Sequence, residues 1–248
     1  RGGRSAIAPT LFHSRQIGLQ DGTPVPILGG GRLTGKVGSF DVGGVAIRAD
    51  DAGDAEATNF GVLRLRRDIL ARSSVGLLVE GKSNSSVAAD GGNLAYGVDA
   101  NFALYQNVQI FGYYAKTDTE GLDDRDDSYR GRIGYRGDIW SGSVDHVMVG
   151  DDFNPEVGFL RRDDFRETNV FGRFSPRPAS IPWIRQISIA GQLGYIETVS
   201  GGFLDSRNRG GRVEVELQNS DWWTAVFTES YERLDEETTI SGATFPTG

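Results

Sequence analysis

The sequence predicts an all-β fold, an antiparallel transmembrane β-barrel of about 14 strands, and three observations carry that expectation. Long segments alternate apolar and polar residues, glycine is abundant, and the connections between segments fall into two alternating classes. Thirty-five of the 248 residues are glycine, roughly twice average usage, and no stretch repeats apolar residues at a 3.6-residue period. In LAYGVDANFALY, Leu94, Tyr96, Val98, Ala100, Phe102 and Leu104 share one parity, while Gly97, Asp99 and Asn101 share the other. RVEVELQ sets Val213, Val215 and Leu217 against Arg212, Glu214, Glu216 and Gln218. YRGRIGYRG sets Tyr129, Ile133 and Tyr135 against Arg130, Arg132 and Arg136.

A soluble β-sandwich binding module also alternates, so strand length separates the two architectures. Sandwich strands run about 5 to 6 residues, whereas a strand that crosses a bilayer needs roughly 9 to 11. Reading alternation and its breaks together predicts strands over 11–19, 27–37, 39–48, 58–66, 74–82, 93–105 and 108–117. The second half adds 128–137, 139–149, 165–174, 183–198, 209–218, 222–233 and 239–247. The connections QDGTPVP, ADDAGDAEA, SNSSVAADGG, TDTEGLDDRD, the 150–164 stretch, SGGFLDSRN and LDEET are mostly long and acidic; VGS, RDILARS, QN, GD, SPRPASIP and NSD between them are mostly tight. Long loops at one rim and short turns at the other are the layout of an outer-membrane barrel. Aromatics near strand ends, including Tyr96, Tyr129, Trp140, Tyr195, Trp223 and Tyr231, fit interfacial girdles.

Composition narrows the function classes. Net charge is −8, which opposes nucleic acid and anionic lipid headgroups as partners. No run of about 18 apolar residues occurs, so a transmembrane helix is excluded while a barrel is not. Cysteine is absent, which removes disulfides, thiolate metal sites and thiol nucleophiles. The opening RGGRSAIAPT has no apolar core of a signal peptide, so an export signal is expected upstream and the chain is expected to be part of a larger protein. Residues 1–248 read as one barrel domain of the bacterial outer membrane, with outer-membrane lipid as the immediate partner.

Several segments, LFHSRQIGL, PILGGGRLTGKVGSFDVG, FGVLRLRRDILARSSVG, AYGVDANFALYQNVQIFGYYAKT, VGDDFNPEVGFLRRDDFRE and GRFSPRP, resemble the uncharacterised β-barrel domain of bacterial envelope proteins that usually follows an N-terminal family 9-type carbohydrate-binding module. The likeness covers most of the chain, from Leu11 to Asn219. It implies a membrane-embedded barrel of unknown activity and brings no catalytic residues. A glycan or another envelope protein would be engaged through regions outside this chain.

The side chains offer little catalytic chemistry. His13 and His146 are the two histidines, and in SVDHV a strand would put Ser143 and Asp145 on one face and His146 on the other, so no relay forms. The chain is read as a non-enzyme without a cofactor; calcium at the carboxylates of DDRDD or GDDFNPE is the one candidate ion, and neither loop has EF-hand spacing. Gly29–Gly31 lacks a phosphate-loop pattern and reads as a bulge or crowded turn.

The leading functional expectation is a pore, transporter or secretion-linked channel whose lumen is lined by Arg130, Arg132, Arg136, Arg212, Glu214 and Glu216. The alternative is a non-conducting anchor or scaffold that displays a glycan-binding module or partner. Strand parity makes Gly150 to Asp164 a single loop, because an extra strand there would swap the rims of all later connections. Its apolar Phe153, Val157, Phe159 and Leu160 need cover. The loop is therefore expected to cap or plug the mouth, with Pro155 fixing a turn. Its candidate plug residues are Asp151, Asp152, Phe153, Asn154, Glu156, Phe159, Arg161, Arg162 and Arg166, the arginines pairing with Asp151, Asp152, Glu156, Asp163 or Asp164.

Overall fold

A computed structural model describes residues 8–20, 23–51, 53, 56–88, 91–122, 124–233, 238–240 and 243–245. Two short strands, β1 (Leu19–Gln20) and β2 (Thr23–Pro24), form a small ribbon. Then come β3 (Ile27–Val37), β4 (Phe40–Ala49), β5 (Asn59–Ile69), β6 (Ser73–Lys82), β7 (Asn93–Leu104) and β8 (Val108–Thr119). They are followed by β9 (Asp127–Arg136), β10 (Trp140–Val149), β11 (Phe165–Phe174), β12 (Ile184–Glu197), β13 (Leu204–Leu217) and β14 (Trp222–Glu232). Strands β3 to β14 make one 12-stranded sheet in strict sequence order. Each is 10 to 14 residues long, enough to cross a hydrocarbon layer.

The strand count is a correction: 12 strands share the sheet, not 14. Residues 11–19 are not a sheet strand, because their backbone groups are satisfied elsewhere. Ser14–Gln16 turn as a 3-10 helix, and Thr10 and His13 bond to the backbone of Phe159 and Val157. At the other end, β15 (Thr238–Ile240) and β16 (Ala243–Phe245) pair with each other as a separate ribbon; 241–242 and 246–247 of the expected last strand lie outside the described residues. The order ends at β3 and β14, each with one neighbour in the sheet, so the observed pairing establishes an antiparallel sheet and stops short of a closed barrel.

The chain divides into two compact units, Arg1–Gly131 with Val147–Phe165, and Arg132–His146 with Arg166–Gly248. In the first unit, register puts Phe60, Val62 and Arg64 of β5 beside Lys82, Glu80 and Leu78 of β6 on one face. Asn93, Ala95 and Gly97 of β7 continue that row, followed by Thr119, Thr117 and Ala115 of β8. Apolar side chains take the opposite face and stay open to the surroundings: Leu33, Leu63, Tyr96, Val98 and Tyr114 are all exposed, Leu33 by 71%. The second unit repeats the division. Ile133, Tyr135, Trp140 and Val144 are exposed, as are Ile189, Leu193, Val213 and Trp223. Arg212, Glu214 and Glu216 occupy the other face of β13, opposite Ala190, Ser188 and Gln186. An apolar face left uncovered on every strand costs on the order of 25 cal/mol per Å² in water, which a lipid phase removes.

Sheet connections alternate in length from β3 to β11, with 38–39, 70–72 and 105–107 tight and 50–58, 83–92 and 150–164 long; the alternation breaks at 175–183, which is longer than 198–203. Tyr105 accepts a left-handed φ of 53° to close its turn, a conformation that L residues tolerate poorly. Beside the glycine run, the β3–β4 register shifts between Ile27 and Gly29, as a bulge requires. Gly30 is needed there, because an added Cβ would meet the Ala46 carbonyl oxygen at 2.7 Å.

Candidate functional site: the docked 150–164 loop

The loop between β10 and β11 is a single folded segment. It lies in the first unit against the long-loop ends of β4 to β8, on their polar face. Phe153 and Val157 are buried, and Val157 joins Ala49 of β4 and Phe60 of β5 in an apolar cluster flanked by Phe12, Ile17, Val25, Ile47 and Val62. The sequence contains this apolar patch as alternation at the ends of β4 and β5, where inward positions turn from charged to hydrophobic.

Polar anchors surround the cluster. The Asn93 side-chain amide donates to the Asn154 carbonyl at 2.7 Å and to the Thr119 hydroxyl at 2.6 Å. The Asn93 side-chain oxygen accepts from the Glu156 amide at 3.2 Å, and the Asn154 amide donates to the Thr117 hydroxyl at 3.1 Å. Lys82 Nζ lies 2.5 Å from Glu156 Oε2, with both side chains at 10% exposure or less. The Ser86 amide donates to the same carboxylate at 2.7 Å, and the Ser85 hydroxyl donates to its other oxygen. Burial pushes the Glu156 carboxyl up, but the Lys82 ammonium and the Ser85 and Ser86 donors outweigh it and hold the group below its usual range.

The N-terminal segment completes the arrangement. Thr10 and Phe159 exchange two backbone bonds, at 2.9 and 2.7 Å, and the His13 amide donates to the Val157 carbonyl at 2.9 Å. This approach needs Gly158, since a Cβ there would collide with the carbonyl oxygens of Thr10 and Leu11. Gly158→Ala is expected to loosen residues 10–13 by about 1–3 kcal/mol, seen as faster amide hydrogen exchange at Thr10 and His13 with β7 unchanged.

The remaining candidates separate into those the structure brings together and those it does not. Asp151 pairs with Arg125 through two contacts of 2.5 and 2.6 Å, and Arg125 holds its carboxyl below the usual range. Asp152 accepts from the Asp124 amide at 3.0 Å. One expected arginine partner needs correcting. Arg166 turns to Glu197 at 2.6 Å, because as the second residue of β11 it points away from the loop. Arg161 is exposed, and Arg162 lies 5.8 Å from the Phe165 ring centroid. Phe159 is half exposed, resting beside the His13 ring, so its cover is partial. Sequence reasoning missed Lys82, Asn93, Ser85, Ser86, Thr117 and Arg125. Among the clues available, only the inward parity of Lys82 and Asn93 pointed toward them.

Acidity should release the loop. Both Asp151 and Glu156 have depressed carboxyl groups in the docked state, so that state binds fewer protons. Their contribution is complete above their ordinary values of 3.8 and 4.5 and fades as pH falls through the lower docked values. Protease sensitivity within 150–164 is therefore expected to rise in mild acid below about pH 4, and constant sensitivity from pH 7 to 3 would contradict this.

Several carboxylates proposed for calcium are engaged by cations of the chain: Asp151 by Arg125, Asp126 by Lys116 at 3.2 Å, and Glu156 by Lys82; Asp123 lies outside the described residues. Asp145 is buried and lies 3.7 Å from Arg132. His146, on the other side of the strand, meets the Thr168 hydroxyl at 2.8 Å, so the adjacent pair is split as strand geometry demands. Arg212 pairs with Glu214 at 2.5 Å and Arg185 with Glu216 at 2.7 Å. Arg130 lies 5.9 Å from the Phe111 ring centroid. Comparison of the chain with protein-family models, curated proteins and solved structures finds no match in any of the three.

Proposed function

We propose that this chain forms the membrane-inserted β-barrel of a bacterial outer-membrane protein, a pore, transporter or secretion-linked channel whose mouth is stoppered by the 150–164 loop. The observation that carries the proposal is the uncovered apolar face of consecutive long strands opposite a charged face. In the first unit exposed Val98 has Tyr96 on its long-loop side; in the second, exposed Ile133 has Tyr135 on its tight-turn side, where Trp140 and Trp223 also lie, while Tyr231 lies toward a long loop. Aromatics toward both strand ends fit interfacial girdles. Lipid cannot satisfy the free backbone groups of β3 and β14, so insertion requires those edges to be paired, and closure of the sheet supplies the pairing.

Single-channel recording of the full-length protein in planar bilayers tests the open-channel version. Brief openings over a closed baseline are expected, and silence under every voltage and pH would remove it. The anchoring pair of Glu156 and Lys82 also favours a second reading, a non-conducting anchor in which the loop never leaves. Orientation follows from loop length: protease added to intact cells should cut within 120–126 and spare 218–221. The reverse pattern would turn the protein upside down.

A further inference from the structure

One buried carboxyl group has no place in the docking scheme. Glu80 is 1% exposed, and among the described residues neither of its carboxyl oxygens has a hydrogen-bond partner. Its cross-strand neighbours are Val62 and Ala95, which offer no donor. Arg64, the next cation along that face of β5, is bound to Asp99 of β7. From the N-terminal segment, Leu11 sits over neighbouring Gly97. A carboxylate taken out of water without a donor is among the costliest things a fold can bury.

Lys82 stands on the same face of the same strand, two residues away, so the two backbones are roughly 7 Å apart and the side chains are long enough to meet. In the docked state its ammonium is turned to Glu156 and to the Ser86 hydroxyl at 2.6 Å. We propose that Lys82 is a shared cation, held by Glu156 while the loop is docked and by Glu80 once the loop leaves, so that Glu80 is a built-in competitor that sets how often the mouth opens. This rests on the reading of the loop as a removable stopper. The exchange trades one ion pair for another, so release of Glu156 does not strand a buried ammonium. In the docked state alone Glu80 has no cation, and its carboxyl group sheds a proton when it takes one up. Opening is thereby made less costly than rupture of an isolated buried pair.

The 248 residues hold no cysteine, so the full-length protein, with any cysteine outside them replaced, allows a clean test in liposomes. Val157→Cys is buried when the loop is docked and reacts with a water-soluble maleimide only when it opens; Val87→Cys, at an exposed position, gives the unprotected rate. Adding Glu80→Gln, or Glu80→Leu, is expected to slow labelling at 157 about tenfold, the worth of one charge-assisted bond in the open state. In a chain lacking Phe153 to Leu160, where Lys82 is always free, the same substitution should lower the urea midpoint. Unchanged or faster labelling, or an unchanged midpoint in the shortened chain, overturns the exchange while leaving the stopper intact. Equal labelling at 157 and 87 before any change at Glu80 overturns the docked loop itself, and the exchange with it.

Discussion

Val98→Arg is expected to destabilise the inserted protein by about 2–4 kcal/mol, because it places a guanidinium at mid-strand on the face assigned to lipid. Val98 is 53% exposed with only apolar and aromatic neighbours in register, Leu77 and Tyr114, so no internal partner can neutralise the charge. Glu214→Gln is the matched control on the other face. It weakens contacts to Arg212 and Thr224 in a half-exposed setting, where such pairs contribute at most about 1 kcal/mol. Asp99 is the less suitable control, since its replacement strands Arg64. Reversible urea unfolding from liposomes reads the difference. Equal costs on the two faces would contradict the assignment, and a monodisperse detergent-free monomer would contradict membrane insertion altogether.

Phe153→Ala is expected to weaken loop docking by about 3–5 kcal/mol, the cost of emptying a fully buried aromatic site. That corresponds to a rise of two orders of magnitude or more in the undocked population, which maleimide labelling of Val157→Cys resolves. Deleting Phe153 to Leu160 goes further and should convert brief openings into a sustained current. An unchanged current in a correctly folded deletion would make the loop a bystander and leave the anchor reading standing.

The central strands were legible because two physical constraints act together along them. Period-two alternation fixes which residues share a face, and long runs between Gly- and Asp-rich breaks fix where each strand stops. Eleven of the 12 sheet strands begin within two residues of expectation; β13 begins at Leu204 rather than 209 because DSRNR reads as a polar loop. Its Arg207 and Arg209 are paired with Glu229 on the neighbouring strand, a long-range compensation invisible to local pattern. The segment 11–19 failed for the opposite reason. Leu11, Phe12 and Ile17 look like strand residues, but their partners lie nearly 150 positions away in the loop.

The site shows the same division. That GDDFNPEVGF forms one loop followed from strand parity, and its need for cover followed from its apolar content. The identity of its anchors did not, because Lys82 and Asn93 are unremarkable inward residues until topology brings the ends of β6 and β7 beneath Glu156. Nearby arginines made attractive local partners for the loop carboxylates. The actual cation for Asp151 is Arg125, across a neighbouring loop, and β11 carries Arg166 away to Glu197.

The most direct test of the membrane assignment is a single-cysteine scan of positions 94 to 102 carrying a polarity-sensitive fluorophore, read in bilayers with and without brominated acyl chains. The account predicts strong quenching at 94, 96, 98, 100 and 102 and little at 95, 97, 99 and 101. Quenching without a two-residue period, or none at any position, would contradict it.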